Sequence, residues 1–227
     1  MRQLYSLCGE NGVSYSPYVW KVIMALHHKQ LAFDISPVNF STISKIEDGT
    51  FNTVPVLRDG DRVLDDSFDI CEYLEQTYPD APSLFDGEAG RQMARFFESY
   101  CISMLHPPLS VIVAMGMHNV MGESDQKYFR QKREDRFGVS LETIAERGAA
   151  ERIVLNERLA PLRNQLTNQP WICGDKHLFP DYIVFGTLQW SWVVGERDLL
   201  AEDDPVRIWF SRCQDLFGGI AREVGAK

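Results

Sequence analysis

The segment Ser16-Pro17-Tyr18-Val19-Trp20-Lys21 constrains this chain more than any other stretch. A serine and a proline stand directly ahead of an apolar-periodic run that closes on His27-His28-Lys29, the pattern of a helix start over 16–29. Serine is a favoured N-cap, and proline in the first helical position gives up only an N–H that has no helical partner there. Residues 3–7 read as a short strand, and the glycine-containing stretch 9–14 leads from it into the helix. A strand, a loop and a capped helix N-terminus form a corner whose free N–H groups and helix dipole favour an anion. The Ser16 hydroxyl sits at that positive end, as a cap and as a donor to whatever the corner holds.

The pattern extends over the first eighty residues. A second strand within 31–37 completes a β-α-β unit, whose crossover implies a parallel, right-handed pair. Residues 40–53 are polar and irregular, with a short helix near 43–47, and deliver the chain to Val54-Pro55-Val56-Leu57. Asp59-Gly60-Asp61 then turns a hairpin into Arg62-Val63-Leu64-Asp65, and Asp66-Ser67 opens a helix over 68–78 that Pro79 ends. The order is β-α-β-α-β-β-α, an α/β thioredoxin-like domain over 1–79. A proline- and glycine-bearing linker over 80–90 follows, and an all-helical domain over 91–227.

In that second half the spacing predicts a helix over 91–104 interrupted by Pro107-Pro108 and a charged helical segment within 122–148. It also predicts a helix over 151–166 disturbed at Pro161, another over 181–194 and a last one over 205–217. The charge run 126–136 is expected on a solvated face. Leu178 stands three residues ahead of Asp181, so the polar half of a capping box is missing and Asp181 is left to receive a backbone N–H at its helix start.

Charge and cysteine usage narrow the function. The net charge is −9 and the 23 lysines and arginines are scattered, which argues against nucleic acid as a partner. The apolar stretches 110–117 and 182–194 are too short or too interrupted to span a bilayer. With no signal peptide at the N-terminus, the expected location is the cytoplasm. Cys8, Cys71, Cys101, Cys173 and Cys213 are far apart, which fits neither a disulfide framework nor a zinc knuckle. No metal-ligand spacing is present. Cys8 alone lies beside the proposed corner.

The helix-capping segment, Val54-Pro55 ahead of a hairpin and Asp66-Ser67 at the start of the next helix together resemble the glutathione transferases, as does the helical remainder. Within that superfamily, Ser16 to Lys21, Val54-Pro55-Val56 and Val63-Leu64-Asp65 are most similar to bacterial β-etherases that cleave lignin-type β-aryl ethers, and to their fungal relatives. Glu202-Asp203-Asp204-Pro205 and Asp215-Leu216-Phe217 share that similarity. The resemblance covers essentially the whole chain.

It implies glutathione as co-substrate and a small hydrophobic or aromatic electrophile as acceptor. The Ser16 hydroxyl, shared with Ser14, would hold the thiolate, with Cys8 as the remaining alternative. A cis Val54-Pro55 bond would present Val54 as an open strand edge to the cysteinyl backbone. Asp66 and Ser67 would hold the γ-glutamyl end, and Lys45, or Ser41 or Thr42, the glycyl carboxylate. Tyr15, Met104, Leu105 and His106 would line the acceptor pocket, with no metal involved. The displaced group would be a phenoxide. A homodimer packed through the 91–104 helix is also implied, as is a pocket opened by a short tail after Phe217. The competing functions are thiol-disulfide exchange, carried out by relatives with cysteine at the Ser16 position, and glutathione binding without catalysis.

Overall fold

The computed structural model describes residues 1–222 and 224. The first part runs β1 (Arg2–Leu7), α1 (Pro17–His28), β2 (Phe33–Val38), a 3-10 turn (Ile43–Lys45), β3 (Val56–Asp59), β4 (Arg62–Asp65) and α2 (Ser67–Thr77). The sheet order is β2-β1-β3-β4. β1 pairs parallel to β2 from Arg2↔Phe33 to Leu7↔Val38 and antiparallel to β3 from Gln3↔Arg58 to Tyr5↔Val56. This is the thioredoxin-like arrangement expected from the sequence, with the segment between β2 and β3 reduced to a single 3-10 turn.

Helices form the remainder: α3 (Glu88–Tyr100), α4 (His106–Ile112), α5 (Ala114–Val120), α6 (Glu123–Phe137), α7 (Leu141–Glu146), α8 (Gly148–Arg158), α9 (Ala160–Asn168), α10 (Phe179–Val193) and α11 (Pro205–Gly219). α3 starts earlier than expected, and the proline pair does not break the path. A wide π turn over Cys101–Leu105 carries α3 into α4, whose first turn holds the prolines. Prolines 107 and 108 lack the N–H groups that the Ser103 and Met104 carbonyls would otherwise receive. The Met104 carbonyl accepts from Arg158 Nη1 instead, at 2.7 Å. Pro161 opens α9 after a break at Leu159, and α11 loses helical geometry at Leu216, Phe217 and Gly218. No single helix among the described residues is long and apolar enough to cross a membrane.

α10 is the axis of the core: every residue from Phe179 to Ser191 is buried. It lies along α1, and the crossing is close at Gly186, where a Cβ would come within 2.5 Å of the Pro17 carbonyl oxygen. Its N-terminus is held as half a capping box. The Asp181 carboxylate accepts from the N–H groups of Leu178 (3.0 Å) and Ile172 (3.0 Å) and from Trp209 Nε1 (2.8 Å). Leu178 contributes apolar burial in place of a polar cap.

Buried ions brace α1 from two sides. Lys21, with 4% of its side chain exposed, meets Glu98 of α3 at 2.6 Å, and Lys29 meets Glu75 of α2 at 2.7 Å. Removing one partner of such a pair leaves an unpaired buried charge, so both fix the pose of α1.

Candidate active site

Residue by residue, the start of α1 is built to keep one hydroxyl available. Ser16 has extended dihedrals (φ −83°, ψ 124°), Pro17 opens the helix, and the Ser16 oxygen accepts from the Val19 N–H. That bond is 3.4 Å long, well beyond the usual 2.9–3.0 Å, so the cap is weak and the hydroxyl keeps its own proton to give. No acid stands in the first turn of α1, while His27 and His28 stand in its last, so nothing cancels the positive end of the dipole. The loop leading in is pinned by Trp20 Nε1, which donates to the Ser14 carbonyl at 2.9 Å.

Ser16 borders a cleft of about 640 Å³ between the sheet part and the helices. Val54, Pro55, Asp66 and Ser67 border it too, so four of the expected glutathione contacts meet at one surface. The Val54-Pro55 bond is cis, and Val54 lies beyond the last paired residues of the β1–β3 ladder. Asp66 caps α2 through one carboxylate oxygen, which accepts from Phe68 N–H (2.7 Å) and Asp69 N–H (3.2 Å). Its backbone is held at φ 62°, a left-handed conformation that a non-glycine residue adopts at a cost. Ser67 follows in the first turn, 4% exposed.

Other expected residues stand elsewhere. Ser14 is buried behind the loop, where its oxygen accepts from Ser6 Oγ at 2.7 Å, and it does not border the cleft. Cys8 is also outside the cleft, and burial pushes its thiol up. Lys45 ends the 3-10 turn on the exposed side; Ile43 of the same turn is buried and reaches the cleft. Ser41 and Thr42 lie off the cleft, their hydroxyls bonded to Asn39, while Asn52 and Thr53 border it. Met104 and Leu105 miss the pocket because the π turn rotates them away. Met104 is 41% exposed and Leu105 fully buried, and Ile102 takes their place at the cleft.

Tyr15 and His106 do border the cleft. Tyr15 is 2% exposed and its hydroxyl has no partner among the described residues. Burial holds that phenol far above its ordinary range. His106 is a relay within the wall. Thr187 donates to the Ile183 carbonyl (3.0 Å), so it accepts from His106 Nε2–H (3.2 Å), and His106 Nδ1 is left to accept from Tyr18 (3.3 Å). Burial lowers His106 to about 4, so the ring is neutral and already committed on both nitrogens.

The helical wall also carries charged residues that the sequence pattern did not assign to the site. Glu98 borders the cleft but is closed by Lys21. Arg133 and Arg136 of α6 also border it, correcting the expectation that the run 126–136 is only a solvated face. Their spacing of three places them on one face, and that spacing was the available signal.

A helix N-terminus with a weakly engaged serine, Val54 ahead of a cis proline, and a second capped helix meet across one cleft, and the free N–H groups of the two helix starts favour an anion there. Sequence comparison gives the family. Residues 93–215 match the family model for the glutathione S-transferase C-terminal domain, and residues 12–82 the model for the glutathione S-transferase N-terminal domain. The chain therefore belongs to the glutathione S-transferase family. A 71-residue segment is 41% identical to glutathione S-transferase Z1 of Arabidopsis thaliana, a match spanning 28% of this chain and 31% of that protein. Among solved structures, the fold is similar to glutathione transferase GSTFuA3 from Phanerochaete chrysosporium, with a TM-score of 0.83, 24% identity, and 93% and 95% of the two chains covered. It is also similar to CsGST63524 of Ceriporiopsis subvermispora, solved in complex with glutathione, with a TM-score of 0.81, 22% identity, and 95% and 96% covered.

Proposed function

We propose that the protein is a glutathione transferase in which Ser16 holds the glutathione thiolate for attack on an aromatic electrophile, β-aryl ethers included. The observation that carries this is the Ser16 hydroxyl on the cleft, its cap bond long and the helix end unneutralised. Glutathione's thiol, with a pKa of roughly 8.5 when free, needs only one to two units of stabilisation to be largely ionised at neutral pH. A hydroxyl bond to the thiolate contributes about 1.5–3 kcal/mol, which is that shift. The thiolate then forms the S–C bond while the leaving group, a phenoxide in the ether case, departs with its electron pair.

Val54 would pair with the cysteinyl backbone, and Asp66 would receive the γ-glutamyl amine on its second carboxylate oxygen. Ser67 and the N–H groups of the first turn of α2 would receive the α-carboxylate. The same reading divides the chain at 80–90 and pairs two copies through α3, whose Phe96 (61%) and Met93 (45%) are exposed.

Glutathione addition to an activated aryl chloride, cleavage of a β-aryl ether model compound, and glutathione-dependent reduction of hydroxyethyl disulfide should be measured side by side. The expected result is activity on the first two and none on the third, from a protein of dimer mass in light scattering. Disulfide reduction alone, or glutathione binding with no turnover, would contradict the transferase assignment. The location of Cys8 outside the cleft is why disulfide exchange is the weaker reading.

A further inference from the structure

The glutathione assignments use the sheet side of the cleft and leave a positive pair on the helical side without a task. Arg133 and Arg136 stand on one face of α6 and both border the cleft. Neither makes an ion pair or a side-chain hydrogen bond among the described residues; Arg133 lies over the Phe129 ring at 4.9 Å and Arg136 over Phe137 at 5.5 Å. The acids between them are taken. Glu134 receives Arg130 at 3.2 Å and the Leu141 N–H at 3.0 Å, and Asp135 receives the Gln131 amide at 2.8 Å. Glu98, the acid on the same wall, is closed by Lys21.

Two adjacent guanidiniums repel each other, and burial together with the Arg136 charge holds Arg133 below the usual guanidinium range. In a chain of net charge −9, leaving this pair uncompensated at a cleft is an arrangement that an incoming anion relieves. A planar carboxylate matches the guanidinium fork.

The two arginines reach the cleft from α6, on its helical side. The start of α6 is tied to the loop after β2, where Asp125 Oδ2 accepts from the Phe40 N–H at 3.0 Å. Arg133 and Arg136 follow two and three turns further along, roughly 12 and 16 Å down the helix axis. The cleft they border is also lined by Pro107, Met117 and Trp190, apolar residues suited to a carbon skeleton.

We propose that Arg133 and Arg136 bind a carboxylate on the acceptor, so that the protein conjugates glutathione to electrophiles that carry an acid group. The assignment rests on the transferase function proposed above. In the step it describes, the thiolate at Ser16 forms a bond to the electrophilic carbon and the leaving group takes the bonding pair. The thiol proton has already gone to solvent, and the carboxylate, held by the arginines, takes no part in the bond changes.

The test uses 4-chloro-3,5-dinitrobenzoate and its neutral counterpart 4-chloro-3,5-dinitrobenzamide, with chloride as leaving group. For each, kcat/KM with glutathione is divided by the uncatalysed rate. The wild-type protein should favour the benzoate by about ten-fold or more, K132Q on the same helix should keep that ratio, and R133Q/R136Q should bring it to near one. A wild-type ratio near one, or a ratio retained in the double variant, overturns the proposal. Should the double variant not fold, R136Q, at an exposed position, carries the same comparison.

Glutathione affinity is measured alongside. A loss in the double variant as large as the loss on the benzoate would assign the arginines to the glycyl carboxylate and overturn the acceptor role. If neither compound turns over, the transferase function itself has failed. Calorimetry with 3,5-dinitrobenzoate and 3,5-dinitrobenzamide then decides the anion site: tighter benzoate binding lost in R133Q/R136Q sustains it, and equal binding overturns it.

Discussion

Ser67 and Ser16 are both buried serines at helix starts, yet they stand at opposite ends of the bound peptide in the proposed pose, and their removal should read out differently. Ser67→Ala takes a hydroxyl from the γ-glutamyl end, remote from the sulfur, so it removes binding that ground state and transition state share. Glutathione Kd and KM should rise about ten-fold, with kcat within two- to three-fold of wild type. A fall in kcat at unchanged Kd would contradict the Asp66-Ser67 assignment. The individual caps were readable in the sequence because serine and aspartate ahead of a helix have few other uses. Which hydroxyl faces the cleft was not readable. Ser14 and Ser16 are two residues apart on one loop, and Ser14 is held inward by contacts from elsewhere in the fold, the Ser6 Oγ bond and the Trp20 Nε1 bond to its carbonyl.

At the level of elements, the position of Ser16 is set from across the molecule by α10. Gly186 lets α10 approach the first turn of α1 so closely that a Cβ would meet the Pro17 carbonyl oxygen at 2.5 Å and the Lys21 nitrogen at 3.2 Å. Both are backbone atoms, so Gly186→Ala has to push α1 away. The substitution should cost about 1–3 kcal/mol in denaturant unfolding. It should also lower kcat/KM more than a Gly→Ala change away from the cleft such as one at half-buried Gly148, where a Cβ meets only the Ile112 Cα at 4.0 Å, since the displaced turn carries the candidate site. Unchanged stability and activity would show that this crossing does not hold the corner. Strands, hairpin and capped helices followed from local pattern. The π turn did not, because its cause is distributed: two prolines withhold N–H groups, and an arginine from α8 takes up a freed carbonyl. That turn decides that Ile102 borders the cleft while Met104 and Leu105 do not. The lining of the pocket departs from expectation here, as it does at Arg133 and Arg136, because local sequence carries no rotational information across the turn.

Across the whole molecule, the sheet part and the helices are locked by a polar cluster at the far end of α1. His28 Nε2–H donates to the Ser83 carbonyl at 3.0 Å, so its bare Nδ1 accepts from Tyr182 at 2.6 Å; His177 Nδ1–H then donates to the same phenol oxygen at 2.6 Å. This arrangement works only with His28 neutral, and burial lowers it from the ordinary 6.5 to about 4. Between those values the unfolded chain binds a proton that the folded chain refuses, so stability is full above about 6.5 and falls as pH drops toward 4. His106, also lowered to about 4, acts in the same direction, while Asp181, raised by burial to about 6, opposes it by binding its proton in the folded state. Burial lowers His27 and His177 as well, so the histidines together leave a net loss on acidification, up to about 1.4 kcal/mol per pH unit for each proton. His28→Gln, whose amide can serve both partners, should flatten the stability profile between pH 6.5 and 4. A profile as steep as wild type would show that His28 is not among the titrating groups. None of this cluster was visible in the chain order, since it joins residues from α1, the segment between α2 and α3, the turn before α10 and α10 itself.

The central claim is that Ser16 holds a thiolate at the start of α1. The most direct measurement is the ultraviolet thiolate absorbance of bound glutathione, titrated against pH in wild-type protein and in Ser16→Ala. In the proposed pose Val54, Asp66 and Ser67 still hold the peptide, so affinity should stay within a few-fold. The bound thiol's pKa should rise by about one to two units, with a matching ten- to hundred-fold loss of rate at neutral pH that shrinks as pH rises. An unchanged thiol pKa and full activity in Ser16→Ala would contradict the account and leave Ser16 as a helix cap alone.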